Sequence, residues 1–150
     1  MLLLPLAVTT RDHLLLYNDM DISLDPFPYA GTTTTCEALA MGVPCVTLRG
    51  NCHAHNVGVS LMTTLGLTEW VAHSPEDYVA IAARMAADLP ALATLRGSLR
   101  QRLLSSRLCA GKDFVRDLED TYSQLWRHYC ATQLEAAAAA AGAADANSAQ

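Results

Sequence analysis

The chain has 150 residues, 51% of them hydrophobic and 17% charged, and ten Lys and Arg stand against fifteen Asp and Glu for a formal net charge of -5. That length suits a single core able to bury about two thirds of the unfolded chain's surface. The mild acidity argues against a nucleic-acid or anionic-membrane partner. The five cysteines, Cys36, Cys45, Cys52, Cys109 and Cys130, form an odd set without CxxC spacing, so the expectation is reduced thiols, no metal site, and a cytoplasmic or nuclear location. The opening apolar run stops after eight residues, lacks a basic flank and contains Pro5, which fits a buried strand over Leu2 to Val8 better than a signal peptide. No stretch approaches the roughly 20 apolar residues that span a bilayer.

Thr9 or Thr10 then caps a helix predicted to run through Met20, with Asp12 in its first turn. Ile22 to Leu24 reads as a short buried strand, ended by Pro26 and Pro28, and Gly31 supplies a turn where backbone can approach a ligand. Four threonines, Thr32, Thr33, Thr34 and Thr35, open the next helix and put hydroxyls beside its first-turn N–H groups. The positive end of the helix dipole lies there, so phosphate is the natural guest. Threonine is also an ordinary helix cap, and the run by itself fits that structural role as well. Gly42 and Pro44 stop the helix, and Cys45 to Leu48 follows as a buried strand. Strand, turn, helix, strand is a βαβ unit, and in open parallel sheets ligands sit beyond the carboxyl ends of the strands, where Asp25 to Thr35 fall.

Arg49 to His55 is a loop, leading into a helix from Asn56 to Leu65 that ends at Gly66. His53 and His55 lack a carboxylate or thiolate at zinc-like spacing, which leaves a donor-contacting role at the strand end or a polar helix start. Leu67 to Ala72 suggests another short strand. Ser74-Pro-Glu-Asp77 is a helix opening with a Ser cap, Pro at the first position and acids in the first turn. A further helix is expected beyond Pro90, with the stripe Leu92, Leu95, Leu99 and Leu103, and its basic residues Arg96, Arg100, Arg102 and Arg107 make either a phosphate patch or a solvated face. Past Gly111, Phe114, Leu118, Tyr122, Leu125, Trp126 and Tyr129 form an aromatic-rich stripe. The alanine tract Ala136 to Ala141 favours helix but offers nothing large to pack, so a domain over 1–130 and a fraying, disordered tail over 131–150 are expected.

The runs Asp21-Ile-Ser-Leu-Asp, Phe27-Pro-Tyr-Ala-Gly-Thr-Thr-Thr-Thr-Cys-Glu, Met41-Gly-Val-Pro-Cys-Val-Thr and His53-Ala-His-Asn-Val-Gly-Val-Ser-Leu resemble the catalytic region of SPINDLY-type protein O-glycosyltransferases, relatives of the O-GlcNAc transferases. The resemblance covers nearly all but the last twenty residues. It implies an α/β, Rossmann-like parallel sheet, the partial C-terminal half of a two-domain GT-B glycosyltransferase with C-terminal helices. It further implies transfer of fucose or GlcNAc from GDP-fucose or UDP-GlcNAc to Ser or Thr of protein acceptors. The chain has no acidic pair at ligand spacing and a helix start can stabilise the leaving diphosphate itself, so no metal or other cofactor is expected. Upstream helical repeats and an N-terminal catalytic half would then be absent from this chain. By resemblance, Thr33 and Thr34 match the family's paired diphosphate-binding threonines. Thr32 and Glu37 stand where the animal O-GlcNAc transferases have a histidine and a ribose-binding aspartate. Gly31, Thr32, Thr33, Thr34, Thr35, Glu37, Asp25, His53 and His55 are therefore the candidate donor-binding residues, and no residue is assigned as the catalytic base. The alternatives are a truncated, non-catalytic remnant that keeps the nucleotide-binding turn or acts as an interaction module, and a small phosphate-binding protein in its own right.

Overall fold

A computed structural model describes residues 7–148 of the chain. Of the strand expected over Leu2 to Val8, residues 2–6 lie outside the described residues, and Ala7 and Val8 are not in a strand. The chain divides after Cys109 into two compact units.

In the first unit, Thr9 accepts from the Asp12 N–H to cap α1 (Thr10–Leu15). The expected single helix through Met20 tightens instead into a 3₁₀ segment over Leu16–Asp19, which turns Tyr17 inward. Tyr17 packs with Ala38 and Val43 in a small satellite cluster, flanked by Leu14, Met20 and Met41. Three short parallel strands follow, β1 (Ser23–Leu24), β2 (Cys45–Leu48) and β3 (Val71–Ala72), in the spatial order β1-β2-β3. Ser23 aligns with Cys45, and Thr47 with Val71. The ladder extends past β1 through Asp25 N–H to the Val46 carbonyl at 2.9 Å.

Between β1 and β2 runs α2 (Thr33–Ala40), and between β2 and β3 runs α3 (Val57–Thr64). Both close by the same device. Gly42 (φ 78°) and Gly66 (φ 68°) take the left-handed conformation that costs glycine least. The N–H of Val43 returns to Ala38 at 2.8 Å and that of Leu67 to Met62 at 2.9 Å, which is the Schellman pattern. Each helix is thereby turned back toward the sheet, as a βαβ crossover requires.

Ser74 caps α4 (Pro75–Ala87) by accepting from the Asp77 N–H, as its sequence predicts. The next helix, α5 (Leu89–Ser105), starts one residue before Pro90 rather than beyond it. Asp88 supplies the cap, and proline is tolerated in a first turn because its missing N–H would have no intrahelical partner there. α2, α3 and α4 contact β2, α4 also contacts β3, and α5 packs on α2 and α4. Leu39, Met62, Leu67, Trp70 and Leu99 are completely buried at the centre of this core. Each such side chain contributes about 1.5–3 kcal/mol relative to exposure.

The second unit is α6 (Gly111–Ser148), one helix that includes the alanine tract. Phe114, Tyr122, Leu125, Trp126 and Tyr129 are exposed along it, and the rings of Trp126 and Tyr129 stack with centroids 5.7 Å apart. Among the described residues no single helix is long and apolar enough to cross a membrane; α4 and α5, bent by 95° at their junction, pass such a test only as a pair, by length and composition.

Candidate functional site

Parallel pairing puts the carboxyl ends of β1 and β2 side by side, so the turn from Asp25 to Thr32 and the loop from Arg49 to Asn56 emerge at one end of the sheet. A backbone hydrogen bond from Ala30 N–H to the Ala54 carbonyl, 3.1 Å, ties them together. The start of α2 lies at the same end. Asp25, Gly31, Thr32 to Thr35, His53 and His55 are thus brought into one neighbourhood by topology, across a sequence distance of 30 residues.

Asp25 is the anchor of this neighbourhood. It is 2% exposed. One carboxylate oxygen accepts the Gly31 N–H and the other accepts the Thr47 hydroxyl, each at 2.7 Å. Its carbonyl accepts the Tyr78 hydroxyl at 3.0 Å. Every polar atom of Asp25 is therefore engaged inside the protein, beneath the turn. Hydrogen bonds to an ionised acceptor are about twice as strong as neutral ones, so this arrangement fixes where Gly31 and the helix start stand. Gly31 is held by close approach rather than by an unusual dihedral: a Cβ there would lie 2.6 Å from the Thr35 hydroxyl and 2.8 Å from that of Thr34.

Burial and charge around the anchor shift its neighbours. The Cys45 thiol, fully buried in β2, is pushed up to about 12 by desolvation and secondarily by the Asp25 charge. The Tyr78 phenol is raised to about 12, again chiefly by burial. Both remain protonated at neutral pH.

The four threonines divide by position. Thr35 is buried against the turn, whereas Thr32, Thr33 and Thr34 are exposed. Thr32 precedes the helix and makes no side-chain cap, although α1, α4 and α5 each have one. A helix opened by four hydroxyl residues thus leaves its first-turn N–H groups directed outward without a capping side chain. Glu37, one turn on, is half-buried, and its Oε2 meets His13 Nε2 at 3.1 Å and the Tyr17 hydroxyl at 3.3 Å. Neither partner is legible from residue spacing, because both lie 20 or more residues before Glu37.

Across the turn, His53 and His55 sit in a 3₁₀ segment, His53 exposed and His55 half-buried. Asn56 stitches their loop: its side chain accepts the Gly50 N–H and donates to the carbonyls of Gly50 and Cys52. Asn56 is a positioning residue that spacing alone did not reveal. A cavity of about 90 Å³ lies between the two loops, lined by Phe27, Pro28, Leu48, Arg49, Gly50 and His55. A cavity of about 390 Å³ is elsewhere, at the segment leading into β3, where Leu67, Trp70 and Leu92 line it.

Two of the four clustered arginines, Arg96 and Arg100, are engaged within the protein rather than presented as a patch. Arg96 pairs with Asp21, and Arg100 donates to the Ala40 carbonyl at 2.9 Å, closing the carboxyl end of α2. Cations at that end satisfy free carbonyls and oppose the dipole favourably.

Residues 5–118 match Glycosyl transferase family 41. The chain belongs to that family. It is 57% identical over 128 residues to the Oryza sativa protein named "Probable UDP-N-acetylglucosamine–peptide N-acetylglucosaminyltransferase SPINDLY", and 56% identical to its Eustoma exaltatum counterpart. Each match covers 85% of this chain and 14% of the relative, so the chain spans about a seventh of their length. The Caenorhabditis elegans UDP-N-acetylglucosamine–peptide N-acetylglucosaminyltransferase is 35% identical over 109 residues, 73% of this chain and 10% of that protein. Among solved structures, a mutant Thermobaculum terrenum O-GlcNAc transferase superposes with a TM-score of 0.77 at 43% identity, over 83% of this chain and 24% of that one. The family 41 chain thus forms part of a GT-B glycosyltransferase fold, with the parallel sheet and flanking helices expected of it.

Proposed function

We propose that this chain supplies the nucleotide-sugar site of a protein O-glycosyltransferase, with the diphosphate at Gly31 to Thr35 and the ribose toward Glu37. The observation that carries the reading is the uncapped start of α2, with exposed Thr32 to Thr34, held by the buried Asp25 at the carboxyl ends of two parallel strands. In transfer to a Ser or Thr hydroxyl, a bond forms from the acceptor oxygen to the anomeric carbon and the hydroxyl gives up its proton to a base, a role assigned to no residue of this chain. The bond from that carbon to the diphosphate breaks, and negative charge grows on the leaving group. Fixed N–H and hydroxyl donors stabilise that charge as it develops, which serves in place of a divalent cation. His53 and His55, on the loop tied to the turn by the hydrogen bond between Ala30 and Ala54, serve as further donor contacts.

The donor is GDP-fucose or UDP-GlcNAc, and the acceptor is a Ser- or Thr-bearing protein. The names of the relatives, which specify UDP-N-acetylglucosamine and a peptide, support the reaction class. Five free cysteines support a reducing, cytoplasmic or nuclear setting.

The test is a calorimetric titration of the chain with GDP and UDP. Binding of one of them, weakened at least tenfold when Thr33 and Thr34 are both replaced by valine, is expected, and both positions are exposed so the fold should survive. Equal affinity in the Thr33→Val, Thr34→Val chain would remove the turn from the site.

A further inference from the structure

We infer that Tyr17 is a positioning residue for Glu37, fixing that carboxylate so that one oxygen is presented to a ribose hydroxyl; this rests on the donor-site reading above. Tyr17 comes from the 3₁₀ segment after α1, outside the turn and helix that form the site. Its ring is 7% exposed and locked among Ala38, Val43, Leu14, Met20 and Met41, so the phenol oxygen has little freedom. That oxygen lies 3.3 Å from both the Thr34 carbonyl and Glu37 Oε2. One phenolic proton serves these two acceptors, joining the first turn of α2 to the carboxylate one turn later.

The contacts of Glu37 are one-sided. Tyr17 and His13 both engage Oε2, and Oε1 has no hydrogen-bond partner among the described residues. A carboxylate accepts at both oxygens, so Oε1 remains available to a ligand hydroxyl. A free glutamate side chain must lose rotamer freedom to make such a contact, whereas one already tethered has lost it on folding. Burial and the neighbouring Glu37 charge raise the Tyr17 phenol, which keeps its proton in place as the donor. The rings of His13 and Tyr17 meet in a T-shaped contact with centroids 5.6 Å apart, so the two partners of Oε2 also pack on each other.

The experiment compares the chain with its Tyr17→Phe variant, which keeps the ring and removes only the hydroxyl. The probes are GDP, its 2′,3′-dideoxy analogue and inorganic pyrophosphate. A positioning role predicts that Tyr17→Phe weakens GDP about tenfold, the effect of one hydrogen bond to a charged group, while the affinities for dideoxy-GDP and pyrophosphate stay unchanged. In a Glu37→Ala background the same substitution should have no further effect on GDP. Equal weakening of all three probes, or an undiminished effect in the Glu37→Ala background, would show that Tyr17 only supports the fold and overturn the inference. Unchanged GDP affinity in Tyr17→Phe would overturn it too. A parent chain that binds none of the three probes fails the donor-site reading itself, and this inference with it.

Discussion

Replacing Gly58 by alanine pits local helix preference against the packing around Asp25. Gly58 is the second residue of α3, and exchanging glycine for alanine in a helix ordinarily stabilises it by about 0.5–1 kcal/mol. The structure reverses the sign. A Cβ at Gly58 would lie 2.3 Å from both Asp25 Oδ2 and Thr47 Oγ1, and 2.9 Å from Thr47 Cβ. Both contacted oxygens belong to the buried hydrogen bond between Thr47 and Asp25. Forcing a methyl group into a packed site costs about 1–3 kcal/mol. Separating a hydroxyl from a charged acceptor adds about 1.5–3 kcal/mol. Taking roughly 2 kcal/mol from each and subtracting the propensity gain leaves a net loss of about 3 kcal/mol. For a chain of this size each kcal/mol moves the melting temperature by about 2–4 °C, so Gly58→Ala should melt about 6–12 °C lower. The control is Gly97→Ala, in an exposed stretch of α5 where an added Cβ meets nothing within 4 Å. It should gain up to about 1 kcal/mol. Urea and thermal unfolding followed by far-UV circular dichroism measure both. A Gly58→Ala protein as stable as the parent would refute the keystone role assigned to Asp25.

Cys45 and Tyr78 have folded-state values raised to about 12, from 9.0 and 10.0. The folded state therefore holds these protons more tightly, so their stabilising contribution is full below pH 9 and falls as pH rises from 9 toward 12. Chemical denaturation across that range should show the decline, and a Cys45→Ala variant should flatten its first part; at pH 8, iodoacetamide should label exposed Cys52 and Cys109 and spare Cys45. Separately, no cluster of three or more His, Cys, Asp or Glu side chains suited to a metal occurs among the described residues. Nucleotide affinity should be the same with EDTA as with added magnesium or manganese, and a strict metal requirement in the titration would contradict the helix-start mechanism.

The sequence by itself determined the features whose energetics are local. Gly42 and Gly66 end their helices because the left-handed residue of a Schellman turn penalises any Cβ, and Ser74-Pro75 opens α4 because cap and proline act within one turn. The run Cys45 to Leu48, with β-branched Val46 and Thr47 and bounded by Pro44 and Gly50, marked out β2 because such side chains suit a strand buried on both faces. The long ungapped motif around the four threonines carried the family. Tertiary structure decided what these segments do to one another. That Asp25 lies under the turn depends on Thr47 and Tyr78, 22 and 53 residues away. That Glu37 is bracketed depends on His13 and Tyr17, 24 and 20 residues before it. That the arginines of α5 serve Asp21 and the end of α2 depends on how those helices pack. Periodicity and propensity report which face of an element is buried, but hydrogen-bond partners distant in sequence are chosen only when strands set their register and the helices are folded back across the sheet.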